Sequence, residues 1–135
     1  ISTLRKPTLT GVMLADFIGK FLPESGYEMM NQAIEELGEN LPQAFFAAND
    51  AIALGALRSL NEHKISVPDR VSLISFNDTS LAKYAFPSLS AVKVFTEEMG
   101  AVAARMLVDG LNEEISVPQM TTLATCLIER GSSMN

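Results

Sequence analysis

Gln43-Ala-Phe-Phe-Ala-Ala-Asn-Asp50-Ala-Ile-Ala-Leu-Gly-Ala-Leu-Arg-Ser-Leu60 is the stretch whose reading decides the fold. Ala44 to Ala48 is a short apolar run, the length of a strand buried on both faces. Asn49-Asp50 stops it. From Ala51 to Leu60 helix-forming residues place apolar side chains at 52, 54, 57 and 60, close to helical spacing. The stretch reads strand, polar corner, helix, with Asn49 or Asp50 placed to cap the helix start. The pattern then recurs: Val71 to Phe76 is a strand and Asn77-Asp78 its polar corner. The two Asn-Asp pairs are 28 residues apart, about one strand–helix–strand unit. Strands in such a unit run parallel, so both corners are expected at one carboxyl edge, where open α/β sheets hold their ligands.

Toward the N-terminus, Gly26 to Leu37 has helical spacing, with Tyr27, Met30, Ala33, Ile34 and Leu37 on its inner face. Pro23 suits the first turn and Gly38 the C-terminal cap. Val12 to Phe21 is strand-like, strongest from Asp16, and residues 1–10 read as an extended or poorly ordered lead-in. Toward the C-terminus, a loop at Ile65–Asp69 precedes the second strand, and a short helix over Thr79–Ala85 follows its corner. Phe86-Pro87-Ser88 breaks that helix before a strand over Leu89–Val94. Thr96 to Leu111 is a strong helix, capped by Thr96, with an apolar stripe of Met99, Val102, Ala103, Met106 and Leu107. Ile115–Pro118 is a loop or edge strand, Thr121 to Ile128 a final strand, and Arg130 to Asn135 a polar tail. The fold class is α/β, a doubly wound, mostly parallel sheet with helices on both faces. A TIM barrel needs about 250 residues.

Bulk composition narrows the function. A net charge of −6, with 10 Lys+Arg against 16 Asp+Glu, argues against a nucleic-acid face in this chain, since phosphate contact needs clustered cations. Cys126 is the sole cysteine, which excludes an internal disulfide and points to a reducing, cytoplasmic setting. No apolar run approaches the ~18 residues that suggest a membrane span, and the N-terminus lacks a signal-peptide layout. The opening at Ile1 reads as a fragment or processed chain. His63 stands outside any catalytic or metal-binding arrangement and reads as a solvated helix-end residue. No phosphate loop, zinc motif or nucleophile elbow is present, so neither cofactor nor metal is expected, and no enzyme activity.

Phe45-Phe-Ala-Ala-Asn-Asp50 followed by Ala53-Leu-Gly-Ala-Leu57, then Val67-Pro-Asp-Arg-Val-Ser-Leu-Ile-Ser-Phe-Asn-Asp78 and Pro87-Ser-Leu89, resembles the lactose/galactose repressor family of bacterial transcription regulators. Ser25-Gly-Tyr27 and Met99-Gly100 fall where that family has comparable residues, and the resemblance covers residues 20–130. It implies a helix-turn-helix headpiece followed by two periplasmic-binding-protein-like subdomains, with a small sugar or galactoside-like effector in the cleft between them. This chain is similar to the second subdomain. Residues 1–95 correspond to its core, 96–118 to a crossover helix belonging to the first subdomain, and 119–135 to a returning strand and tail. Operator DNA would then be bound only through a headpiece outside this chain.

The resemblance assigns the effector to Phe21, Asn49, Asn77 and Val94. Asn49 and Asn77 offer amides that donate to and accept from sugar hydroxyls. Phe21 is either a core aromatic or a face stacked on the sugar ring. Val94 lines the cleft or hinge. Asp50 and Asp78 are expected to cap helices or hold structure. Family members very often carry Asp at the position of Asn77; its replacement removes a charge-assisted bond and speaks against a cationic ligand. A homodimer is expected through Leu54, Leu57, Leu81, Tyr84 and Phe86. The alternative use of the same fold is an extracytoplasmic sugar-binding protein serving a transporter.

Overall fold

The computed structural model describes residues 4–5, 14–15, 20–112 and 117–133. Strands β1 (Leu4–Arg5) and β2 (Leu14–Ala15) precede helix α1 (Pro23–Leu37), strand β3 (Ala44–Phe46) and helix α2 (Asp50–Glu62). Strand β4 (Ser72–Asn77), helix α3 (Ser80–Tyr84), strand β5 (Ser90–Lys93), helix α4 (Thr96–Asn112) and strand β6 (Cys126–Ile128) complete the chain. The main sheet has the order β3-β4-β5-β6. β3, β4 and β5 pair in parallel, and β6 adds antiparallel to β5 with Val92 opposite Leu127.

Alternation along these strands separates two faces. Leu73, Ser75 and Ala91 are buried on the face that receives the helices. One apolar cluster joins Leu73 and Ala91 to Met30 and Ala33 of α1, to Ala53, Ala56, Leu57 and Leu60 of α2, and to Ala82 of α3. The opposite face carries Phe46, 64% exposed, Leu127, 50% exposed, and half-buried Ile74, Phe76 and Val92. The α/β architecture with a mostly parallel sheet is as the sequence led one to expect. Among the described residues, however, the helices of the buried cluster lie on a single face. No residue of α4 is buried, and Met99 and Leu107 of its apolar stripe are 48% and 66% exposed.

Local sequence explains the helix ends. Pro23 opens α1, and Gly38, with φ of +50°, terminates it in a conformation that glycine adopts without steric cost. α1 and α2 then approach closely enough for backbone to touch backbone. A β-carbon on Gly26 would collide with the Ile52 carbonyl, and one on Gly55 with the Pro23 carbonyl. Ser59 Oγ donates to Asn31 Oδ1 at 2.7 Å across the same crossing.

The N-terminal lead-in differs from expectation. Leu4–Arg5 and Leu14–Ala15 pair antiparallel in a separate two-stranded sheet, so the described part of the expected 12–21 strand does not join the main one. Residues 16–19, its expected strongest part, lie outside the described residues. Of the 121–128 strand only Cys126–Ile128 forms, because β5 offers partners only over Ala91–Lys93. The polar tail is in fact stitched into the sheet. Ser132 is fully buried; its hydroxyl accepts the Ser90 N–H at 2.8 Å, and its carbonyl accepts the Leu73 N–H at 2.7 Å. It thereby extends the hydrogen-bond ladder of β4 to Leu73, before β5 begins at Ser90 opposite Ile74.

The α1–α2 crossing yields a stability test. Gly55→Ala gains about 1 kcal/mol of helix propensity but forces a methyl into a backbone carbonyl. Overpacking of this kind costs about 1–3 kcal/mol, and a backbone neighbour yields less than a side chain. Gly55→Ala should lower the urea midpoint, whereas Gly100→Ala on α4, where nothing lies within 4 Å, should leave it unchanged or raise it.

Candidate functional site

Parallel pairing of β3 with β4 sets Phe46 opposite Ile74, and the Ala47 N–H extends the ladder to the Ile74 carbonyl at 2.8 Å. Asn49 follows the end of β3 and Asn77 ends β4, so both corners emerge at the same edge of the sheet. Asn77 is opposite Lys93, and the Val94 N–H reaches the Asn77 carbonyl at 3.4 Å. Asn49 Nδ2 donates to the Phe21 carbonyl, also at 3.4 Å. The edge thus assembles Phe21, Asn49, Asn77 and Val94 from four separated parts of the sequence. Phe21 is 68% exposed and is not a core residue. Phe46 adds a second exposed ring, set edge-on to Phe76 with centroids 6.4 Å apart.

Within the first corner the capping job falls to Asn49 and not to Asp50. Asn49 is the helix cap: its Oδ1 accepts the Ile52 N–H at 2.8 Å, the bond an N-cap makes to the third helical residue. Asp50, the first helical residue, cannot reach back to that amide. It turns to β4 instead, with 1% of its surface exposed. One carboxylate oxygen accepts the Ser75 hydroxyl and the other the Thr79 N–H, the latter at 2.6 Å. Asp50 is therefore a brace between the corners, and the expectation that it caps α2 is corrected.

The second corner has an unusual backbone. Asn77 and Asp78 have φ of +103° and +60°, values uncommon outside glycine but several-fold enriched in Asn and Asp. Asp78 Oδ1 lies 2.7 Å from Arg130 Nη2, in a pair whose side chains are 3% and 16% exposed respectively. Arg130 Nη1 also donates to the Leu89 carbonyl at 2.7 Å. Arg130 escaped the sequence reading because an arginine after a final strand carries no local signal of its partner 52 positions earlier. Lys93 places its ammonium 5.1 Å from the centre of the Phe95 ring. Chemically, the edge offers neutral amides beside exposed aromatic faces. Among the described residues no cluster of three or more metal-type side chains exists.

A family model described as the periplasmic binding protein-like domain matches residues 12–133. The chain belongs to that family. The transcriptional regulator GalR of Lacticaseibacillus casei is 49% identical over 118 residues, covering 87% of this chain and 36% of the regulator. A solved transcriptional regulator CelR–cellobiose complex superimposes with a TM-score of 0.79 at 34% identity, over 85% of this chain and 35% of that one. The lac repressor dimer bound to operator and an anti-inducer gives a TM-score of 0.75 at 26% identity, over 87% and 41%. The resemblance to lactose/galactose-type repressors is thus borne out. The chain spans about a third of the length of the curated relatives it matches.

The expected dimer residues are divided by the fold. Leu57 is 2% exposed and packs in the chain's own core, because α2 turns that side toward the sheet; it is withdrawn as a partner contact. Leu81, Tyr84 and Phe86 are 43%, 88% and 90% exposed. Leu54 and Phe86 border a groove of about 540 Å³ with Tyr27, Gly55, Arg58 and Glu62. There the Tyr27 hydroxyl donates to Glu62 Oε2 at 2.6 Å and Arg58 pairs with Glu62 Oε1 at 2.9 Å. The tyrosine hydrogen bond first, and Arg58 second, hold the Glu62 carboxyl below its ordinary range.

Two measurements check this geometry. Asn49→Ala should cost about 1 kcal/mol of stability through the lost cap, read as a reduced urea midpoint. Tyr27→Phe should raise the Glu62 pKa toward the ordinary carboxylate value in an NMR titration. The shift's sign means that its contribution to stability is present above the unfolded pKa and fades as pH falls through the folded one.

Proposed function

We propose that this chain is the C-terminal effector-binding part of a cytoplasmic, sugar-responsive bacterial transcriptional repressor. The observation that carries the reading is the convergence of Asn49, Asn77, Phe21 and Val94 on one carboxyl edge. Amide groups there match sugar hydroxyls in both donor and acceptor sense, and exposed rings match the apolar face of a sugar. The regulators GalR and CelR, the latter solved with cellobiose, support a regulator over a transporter-associated binding protein.

In this reading the edge is half of a cleft, and the effector bridges it to a first subdomain outside this chain. Helix α4 crosses to that subdomain and buries its stripe of Met99, Val102, Met106 and Leu107 there. The stripe's exposure in the chain alone accords with this, since each such side chain gains about 1.5–3 kcal/mol on full burial. Sugar binding regulates the operator only if the two relative orientations of the subdomains differ in sugar affinity. A homodimer formed through Leu54, Leu81, Tyr84 and Phe86 would carry that change to two headpieces; the lac repressor is solved as an operator-bound dimer.

Calorimetry of the intact regulator against a panel of neutral mono- and disaccharides tests the site. Asn77→Ala should weaken the best ligand by about tenfold, within the 1–3 kcal/mol range of a buried group left unpaired. Unchanged affinity would remove Asn77 from the site. Separately, Tyr84→Glu with Phe86→Glu should convert the dimer to monomer in light scattering, since charges then replace the most exposed apolar surface of the expected contact. A dimer that survives both changes forms elsewhere.

A further inference from the structure

We propose that Asp50 is a positioning residue for the effector site, its buried carboxylate holding the Asn77-Asp78 corner in the conformation that presents Asn77. This rests on the reading that Asn77 meets the effector. A carboxylate with 1% exposure is costly to bury, and both partners resolved for it are neutral donors, the Ser75 hydroxyl and the Thr79 amide. The first turn of α2 offsets part of that cost, because anionic groups are favoured at helix N-termini. Capping does not require Asp50, since Asn49 already serves the Ile52 amide.

The placement of its partners gives the role. Ser75 lies two residues before Asn77, and Thr79 lies directly after Asp78. The two oxygens therefore grip the chain on both sides of two consecutive residues with positive φ. Arg130 fixes the Asp78 side chain from another direction, but among the described hydrogen bonds it makes none to the backbone of residues 75–79. A side chain that accepts on both ends satisfies both donors as they stand. Asn keeps the Thr79 bond only by turning its NH₂ to Ser75, whose hydroxyl then accepts, and Ala removes both bonds. Released at Thr79, the corner is free to leave the left-handed region and turn Asn77 away from the edge.

The test uses the intact regulator and, as probe, whichever of D-galactose, lactose and cellobiose binds the wild type most tightly. In Asp50→Ala, which removes both acceptors, the Thr79 amide should exchange with solvent at least tenfold faster, while the Leu57 and Leu60 amides within α2 keep their protection. Sugar Kd should rise roughly tenfold, within the range of one lost hydrogen bond. Asn77→Ala should weaken binding in the wild type and add little in the Asp50→Ala background, because the brace acts through Asn77. Ser75→Ala, which keeps the Thr79 bond, should give an intermediate loss and serves if Asp50→Ala fails to fold. Full protection of Thr79 in Asp50→Ala, or fully additive effects of Asp50→Ala and Asn77→Ala, overturns the proposal. Unchanged sugar affinity in Asn77→Ala instead overturns the ligand reading, and the Thr79 exchange rate then still decides whether Asp50 holds the corner.

Discussion

Parallel pairing of β3 with β4 is the constraint on which the carboxyl edge depends. A parallel neighbour requires the chain to return over the sheet, and α2 supplies that return between the two strands. Once the strands run together, whatever ends one lies beside whatever ends the other. Here each ends in an amide and a carboxylate, and both carboxylates are committed within the fold. Asp50 and Asp78 are both turned inward, one onto the neighbouring strand and its loop, the other onto Arg130. The amides remain nearest the edge. Asn49 spends its oxygen on the helix start and keeps an NH₂ that makes only a 3.4 Å contact to the Phe21 carbonyl. Neither amide is tied down as firmly as the carboxylate beside it.

The same packing explains why the edge is open in this chain while a groove forms elsewhere. Helices α1, α2 and α3 and one sheet face share a single buried cluster, and the backbone contact at Gly26 and Gly55 draws α1 onto α2. The groove beside Tyr27, Arg58 and Phe86 is lined by α1, α2 and Phe86, and none of Phe21, Asn49, Asn77 or Val94 contributes to it. In the proposed reading the edge is half of a cleft, and this chain contributes its polar, aromatic rim.

Much of this was legible in the sequence because the deciding signals are local. Strand–corner–helix at 43–60, its repeat at 71–78, Pro23 and Gly38 at the ends of α1, and the long helix from Thr96 all follow from spacing and turn chemistry. What stayed hidden depends on contacts across the chain. Nothing local says that Asp50 would bypass the cap and reach residues 75 and 79, since at a corner both Asn and Asp are good caps. The burial of Leu57 was missed because positions 54 and 57 are one helical turn apart, and a one-residue rotation decides which faces the core. The tail looked polar and loose because Ser132 reveals its place only when β5 starts at Ser90, opposite Ile74, and leaves Leu73 without a β5 partner.

Charge at the edge follows from the same division of labour, and under the proposed reading it constrains the ligand. Asn77 is neutral, and the adjacent Asp78 is neutralised by Arg130 at 2.7 Å. Asp50 is spent on two neutral donors within the fold. Neither corner therefore offers an unengaged carboxylate to a ligand. The cation of the same rim, on Lys93 opposite Asn77, is drawn over the Phe95 ring, where the π face supplies part of the solvation an ammonium loses near protein. A cationic ligand would meet no anion at these corners, and an anionic one would have to draw Lys93 off its ring. A neutral polyhydroxylated ligand asks for neither: its hydroxyls pair with amides in either sense, and its ring lies against Phe21 or Phe46. Under the proposed reading, the amide of Asn77 therefore offers nothing to a charged ligand while supplying the hydrogen bonds on which a sugar depends.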